Sequence, residues 1–210
     1  MSDGLTVLVV PTGTANLASI KAAFGRLGAT VVMAENPDQI DAAERVVLPG
    51  VGAFGASMTE VREHGFHEPL AARIRAGRPT MAVCVGLQLL FDASEESDGV
   101  PGLGVLPGTI SRLPATLRVP QLGWNQVEPG PDCAMIEPGH AYFANSYRAA
   151  PPAPDGWAAA TADHGGPMIA ALERGAVLGC QFHPELSGAW GQALMGRWLA
   201  RSTTTGSTSC

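Results

Sequence analysis

Cys84 closes the apolar run Thr80-Met81-Ala82-Val83 and is followed at once by Val85-Gly86-Leu87-Gln88-Leu89-Leu90-Phe91. This pattern predicts a strand, a sharp turn and a helix, with a thiol at the corner. A side chain on such an elbow projects from the carboxyl end of a sheet, next to a helix start whose partial positive charge favours a thiolate. A free cysteine alone is ordinarily a small core group. Here Ala82 and Gly86 stand two positions to either side, supplying the small residues that a tight elbow needs. Further along, Gln181-Phe182-His183-Pro184-Glu185 places a histidine at the end of a second apolar strand and a glutamate two residues later. Pro184 makes that turn rigid, so the imidazole and the carboxylate can converge above the sheet. Cys84, His183 and Glu185 together have the logic of nucleophile, general base and the carboxylate that orients the base.

Acyl chemistry also needs donors for a developing oxyanion. Leu48-Pro49-Gly50-Val51-Gly52-Ala53-Phe54-Gly55 ends a buried strand with three glycines, whose bare backbone can approach a ligand and present N–H groups to it. One donor is expected from Val85, just after the nucleophile, and the other from Val51 or Gly52, each worth about 3 kcal/mol of barrier. The same loop has no Lys or Ser/Thr at phosphate-loop spacing, and an ordinary glycine-rich βα turn is the alternative for it.

These residues need a scaffold to hold them. Runs at Thr6 to Val10, Thr30 to Met33, Val46 to Leu48 and Thr80 to Val83 read as strands buried on both faces, separated by helical patterns. The first helix has Asn16 as its cap, Leu17, Ile20, Phe24 and Leu27 on one stripe, and Gly28 as its stop. This is the signature of an α/β fold with a mostly parallel sheet flanked by helices. After Gly102 the chain turns rich in Pro and Gly, with strand-like pieces at Thr109 to Leu113, Trp124 to Val127, Tyr142 to Tyr147, Ile169 to Leu172 and Val177 to Phe182. Mixed or antiparallel additions to the sheet are expected there. Ala149 to Asp155 reads as a loop, Gly191 to Arg201 as a closing amphipathic helix, and 202–210 as a disordered Ser/Thr-rich tail. One domain over 1–201 is expected from the length of 210 residues and the lack of a linker.

Charge and composition narrow the partners. With 13 Lys+Arg against 19 Asp+Glu, a net charge of −6 and no basic run, the chain is a poor fit to nucleic acid. The start of the sequence lacks a basic leader and no apolar segment elsewhere is long enough to span a bilayer, so no membrane contact and a cytoplasmic location are expected. The four cysteines lack CxxC spacing, which suits reduced thiols.

In combination, Val83-Cys84-Val85-Gly86-Leu87-Gln88, Pro49-Gly50-Val51-Gly52-Ala53-Phe54-Gly55 and Phe182-His183-Pro184-Glu185 resemble the class I, triad-type glutamine amidotransferases. Pro120-Gln121-Leu122-Gly123-Trp124-Asn125, Leu89 to Glu96, Gly102-Leu103-Gly104 and Tyr142 to Tyr147 narrow the resemblance to the glutaminase subunits of imidazole glycerol phosphate synthase, over residues 5 to 200. The resemblance implies a flavodoxin-like fold, no cofactor and no metal. It also implies attack of Cys84 on the side-chain amide of glutamine, with Gln88, Glu96, Asn145, Ser146 and Tyr147 around the substrate. Ammonia would pass to a (β/α)8-barrel cyclase partner in a heterodimer of histidine biosynthesis, faced by Asn16, Trp124, Asn125 and Tyr142. A core position is the alternative for Trp124. Two other functions stay open: a paralogue feeding a different barrel-type synthase, and a silent scaffold that only stabilises a partner. The chain departs from the usual pattern at Pro11-Thr12, Ala82, Gln121 and Leu186, where Asp-Tyr, Gly, His and Lys are common. Pro11-Thr12, Gln121 and Leu186 are expected to lie towards the partner.

Overall fold

The computed structural model describes residues 5–13 and 16–201. The expected tail at 202–210 and part of the loop after Gly13 therefore lie outside the described residues, as do residues 1–4. Nine strands form one sheet. In chain order they are β1 (Thr6–Val9), β2 (Thr30–Met33), β3 (Val46–Leu48), β4 (Thr80–Val83), β7 (Gln121–Pro129), β8 (Gly139–Asn145), β10 (Ala158–Asp163), β11 (Pro167–Arg174) and β12 (Val177–Cys180). A smaller sheet joins β5 (Phe91–Ser94), β6 (Leu106–Arg112) and β9 (Tyr147–Arg148). The large sheet runs β2-β1-β3-β4-β12-β11-β10-β7-β8. Its first five strands are parallel, and β11, β10, β7 and β8 extend it by antiparallel pairing.

Helices α1 (Leu17–Arg26), α2 (Pro37–Ala42), α3 (Phe54–Glu63), α4 (His67–Arg75), α5 (Val85–Gln88) and α6 (Gly188–Leu199) accompany the strands. The Asn16 side chain accepts from Ser19 N–H at 3.3 Å and so caps α1, as its residue type predicts. Gly28 follows that helix with φ 77°, a left-handed conformation that suits glycine at a helix stop.

β1, β3 and β4 are buried on both faces, with Val7, Val9, Val46, Leu48 and Ala82 at zero exposure. β2 departs from the expectation. It is the edge strand of the sheet, and Val32 remains 43% exposed, because only one neighbour covers it. The helix after Cys84 is also shorter than its apolar run predicts. It ends at Gln88, and Phe91–Ser94 becomes a strand because it finds a partner in β6. β10, with Ala158-Ala159-Ala160, carries no β-branched signal there and owes its strand state to pairing with β11 and β7. The closing helix begins at Gly188, three residues before the expected Gly191.

One buried cation ties the end of the sheet remote from the elbow. Arg73 on α4 is 1% exposed and donates to the carbonyls of Ile40, Ala43, Glu44 and Pro79 and to Thr80 Oγ1. It thereby joins α2, the entry to β3 and the entry to β4. Burial, and the nearby charge of Arg78, push its guanidinium down to about 10, still cationic at neutral pH.

Candidate active site

The parallel neighbours β4 and β12 end side by side, with Cys180 opposite Val83. Cys84 and His183 therefore leave the same edge of the sheet. Cys84 has φ 54° and ψ −110°, and among the described residues it alone is a non-glycine with positive φ. A non-glycine residue there is strained, and persists only where surrounding structure holds it. Two contacts hold this one: the Cys84 N–H donates to the Cys180 carbonyl at 2.7 Å, and its own carbonyl accepts from Gln88 N–H at 3.3 Å.

The small residues at the elbow follow from close backbone approach. A Cβ on Gly86 would meet the Leu48 carbonyl oxygen at 2.1 Å, and one on Gly50 would meet Gly86 N and Val85 Cβ at 2.7 Å. The end of β3 and the loop after it thus lie directly on the elbow. Gly52 takes φ 93°, open to glycine at little cost. Val85 is the first residue of α5, where an N–H has no acceptor within its own helix.

His183 is 4% exposed, and its Nδ1 lies 2.9 Å from Glu185 Oε1. The Glu185 side chain is 3% exposed. Burial pushes the imidazolium down, but hydrogen bonds to Cys84 and Glu185, with the charges of both, outweigh it and raise His183 to about 10. This favours the protonated imidazole beside the sulfur at neutral pH. Ser187 secures the turn. Its hydroxyl donates to the His183 carbonyl at 2.6 Å and accepts from Tyr142 N–H at 3.0 Å, while His183 N–H donates to the Tyr142 carbonyl at 2.9 Å.

Cys84 and His183 open on a cavity of about 190 Å³, whose walls also include Val51, Gly52, Val85, Gln88 and Glu96. Ala144, Asn145, Ser146 and Tyr147, from β8 and the start of β9, close its other side. The volume suits a small polar solute. Glu96 Oε2 accepts from Phe54 N–H at 2.7 Å, and Ser97 Oγ from Gly55 N–H at 3.0 Å. Both cap α3 and anchor the glycine loop that precedes it.

Sequence reasoning passed over Gln181 and Ser187. Gln181 is wholly buried, and its Nε2 lies 3.8 Å from Cys84 Sγ. An amide at the end of an otherwise apolar strand, two residues before His183, was the available signal.

The residues expected to face a partner are not in this cavity. Trp124 is 58% exposed, against the alternative of a core position, and stands edge-on to Tyr142 at 6.3 Å. Asn125, next to it on β7, projects to the opposite face of the strand, where its Nδ2 donates to the Asp163 carbonyl at 2.9 Å. Asn16 is exposed at the start of α1. Thr12 and Gln121, expected towards the partner surface, are instead buried, at 2% and 5% exposed. Leu186, 37% exposed, does reach the surface.

The model of the glutamine amidotransferase class-I family matches residues 8–199. The imidazole glycerol phosphate synthase subunit HisH of Lactiplantibacillus plantarum is 40% identical over 188 residues, 87% of this chain and 89% of that one. The chain belongs to the class I glutamine amidotransferases, among the HisH subunits. The chloroplastic imidazole glycerol phosphate synthase hisHF of Arabidopsis thaliana is 39% identical over 94% of this chain, which spans only 34% of that longer protein. A crystal structure of a glutamine amidotransferase superposes with a TM-score of 0.71, at 21% identity, over 91% of this chain and 96% of that one. This amidotransferase thus shares the fold of its class with structures whose sequences have diverged far from it.

Proposed function

We propose that this chain hydrolyses L-glutamine to L-glutamate and ammonia through Cys84, His183 and Glu185, and delivers the ammonia to a (β/α)8-barrel cyclase subunit in histidine biosynthesis. The observation that carries the reading is a strained, buried Cys84 facing a His183 whose far nitrogen is held by Glu185 at 2.9 Å. The Cys84 sulfur adds to the amide carbon of glutamine, and the electron pair of the carbonyl moves to its oxygen. N–H groups of Val85 and of Val51 or Gly52 receive that charge. The imidazolium of His183 gives its proton to the nitrogen as the C–N bond breaks, so ammonia leaves and a thioester remains. His183, now neutral, takes a proton from water, which attacks the thioester, releases glutamate and restores the thiolate. Glu185 keeps the imidazole in one tautomer through both steps.

Gln88, Asn145, Ser146 and Tyr147 are the proposed walls for the amino-acid head. Glu96 offers its second carboxylate oxygen to the substrate ammonium, the first being engaged by Phe54. Trp124, Tyr142 and Leu186 make the proposed docking face, and Asn16 and Asn125 are further proposed partner contacts, Asn125 from the opposite face of β7. The acceptor is tested with purified barrel subunits, each supplied with its own acceptor and with glutamine. Turnover is expected with the cyclase that makes imidazole glycerol phosphate and an aminoimidazole carboxamide ribonucleotide. Turnover with a different barrel-type synthase alone would reassign the pathway.

A further inference from the structure

We propose that Gln181 stabilises the Cys84 sulfur as a thiolate by donating a hydrogen bond to it, its amide being oriented through Gln88 by the main-chain carbonyl of Tyr147. The proposal rests on the reading of Cys84 as the nucleophile. It begins from a carbonyl, which can only accept. Tyr147 O lies 3.2 Å from Gln88 Nε2 and also receives Asn145 Nδ2 at 3.1 Å. Gln88 must therefore present its amino group there. The same Nε2 lies 3.1 Å from Gln181 Oε1, so the carbonyl of the Gln181 amide is used on that side. Its amino group is left facing Cys84 Sγ at 3.8 Å.

Burial gives this chain of amides its consequence. Gln181 has no exposed surface, Gln88 is 3% exposed and Cys84 4%, so water gives the sulfur little solvation. A hydrogen bond to an ionised acceptor is roughly twice as strong as one to a neutral acceptor. The Gln181 N–H therefore favours thiolate over thiol, in addition to the contact that His183 makes with Cys84. The titratable groups around the sulfur are His183, Glu185 behind it, Glu96 across the cavity and Cys180 on β12, and changing Gln181 leaves each in place. Burial, with the charge of Glu173, pushes the Cys133 thiol up to about 11, and burial with Glu185 pushes Cys180 well above its ordinary value. Both stay protonated at neutral pH, and following the Cys84 peptide separates its alkylation from that of the other cysteines.

The test alkylates the full chain with iodoacetamide across pH and follows the Cys84 peptide by mass. Each event forms a thioether and releases iodide. Gln181→Met, of similar length without a donor, is expected to raise the alkylation midpoint by about one pH unit, a tenfold change in thiolate fraction below it. Turnover with the barrel subunit should fall about tenfold, with KM for glutamine changed less than twofold. Gln88→Met, which frees Gln181 from its orienting contact, should move the midpoint the same way by less. Superimposable midpoints for the native chain and Gln181→Met would overturn the proposal, and so would lost turnover with an unmoved midpoint. Should Gln181→Met lose its fold by circular dichroism, an unmoved midpoint in Gln88→Met would overturn it. Glutamine hydrolysis retained in Cys84→Ala would instead overturn the nucleophile reading, and is seen without reference to the midpoints.

Discussion

Cys84 and His183 are each buried and each within reach of the other's charge, so their protonation states are one problem. His183 is held at about 10, above the ordinary histidine value near 6.5. A group raised in the folded state stabilises the fold fully below its unfolded value, and that stabilisation fades as pH rises through the folded value. The native chain should therefore lose stability relative to Cys84→Ala as pH climbs from 7 through about 10. Melting temperatures of both proteins across that range measure it. Parallel curves would show that the imidazolium does not depend on the sulfur. Cys84, His183 and Glu185 were legible as a group because Cys84 and His183 each follow a strand at a turn of recognisable residue types, with Glu185 two residues on in that turn. Gln181 was not, because its role depends on which way a buried amide points, and that is decided by the Tyr147 carbonyl, 34 positions earlier in the chain.

At the scale of elements, the elbow and the glycine loop are interlocked. Gly50 sits where a methyl group would press on Gly86 N and Val85 Cβ at 2.7 Å. Gly50→Ala should displace the Val51-Gly52 amides from Val85 while leaving the sheet paired. The expected result is a loss of glutamine hydrolysis of about 100-fold, the value of one oxyanion donor, with ammonia-driven synthesis by the barrel subunit retained. Steady-state rates with each nitrogen source check this, and full glutaminase activity in Gly50→Ala would remove the loop from the mechanism. Strands β1, β3 and β4 were legible because they are buried on both faces and spell this in Val, Leu and Met. β5 and β10 were not. Phe91-Asp92-Ala93-Ser94 carries on from an apolar helical run, and Ala158-Ala159-Ala160 has no strand preference of its own, so partners distant in sequence decide both.

For the whole molecule, the exposed Trp124 and Leu186 (58% and 37% exposed) and the half-buried Tyr142 mark the proposed docking face. The resemblance leads us to expect a lysine at the position of Leu186, so on the proposed face an apolar contact would stand in place of an ion pair. An exposed pair is worth about 0 to 1 kcal/mol and a fully buried leucine about 1.5 to 3. Association with the barrel should persist and depend little on salt, whereas Leu186→Lys should show the steeper dependence, since screening acts on charge pairs. Dissociation constants over a salt series decide this, and a steeper slope for the native chain would contradict the account of that face. The burial of Thr12 and Gln121 was not legible, because surface placement depends on how far each is covered by its neighbours. Among the described residues no helix is long and apolar enough to cross a membrane.

The central claim is that Cys84 releases the nitrogen which the barrel subunit consumes. Synthesis by the purified barrel subunit and its acceptor is measured with glutamine or with ammonium salt, beside the native chain or Cys84→Ala. The account predicts synthesis from both nitrogen sources with the native chain, and from ammonium alone with Cys84→Ala. Undiminished synthesis from glutamine with Cys84→Ala would contradict it.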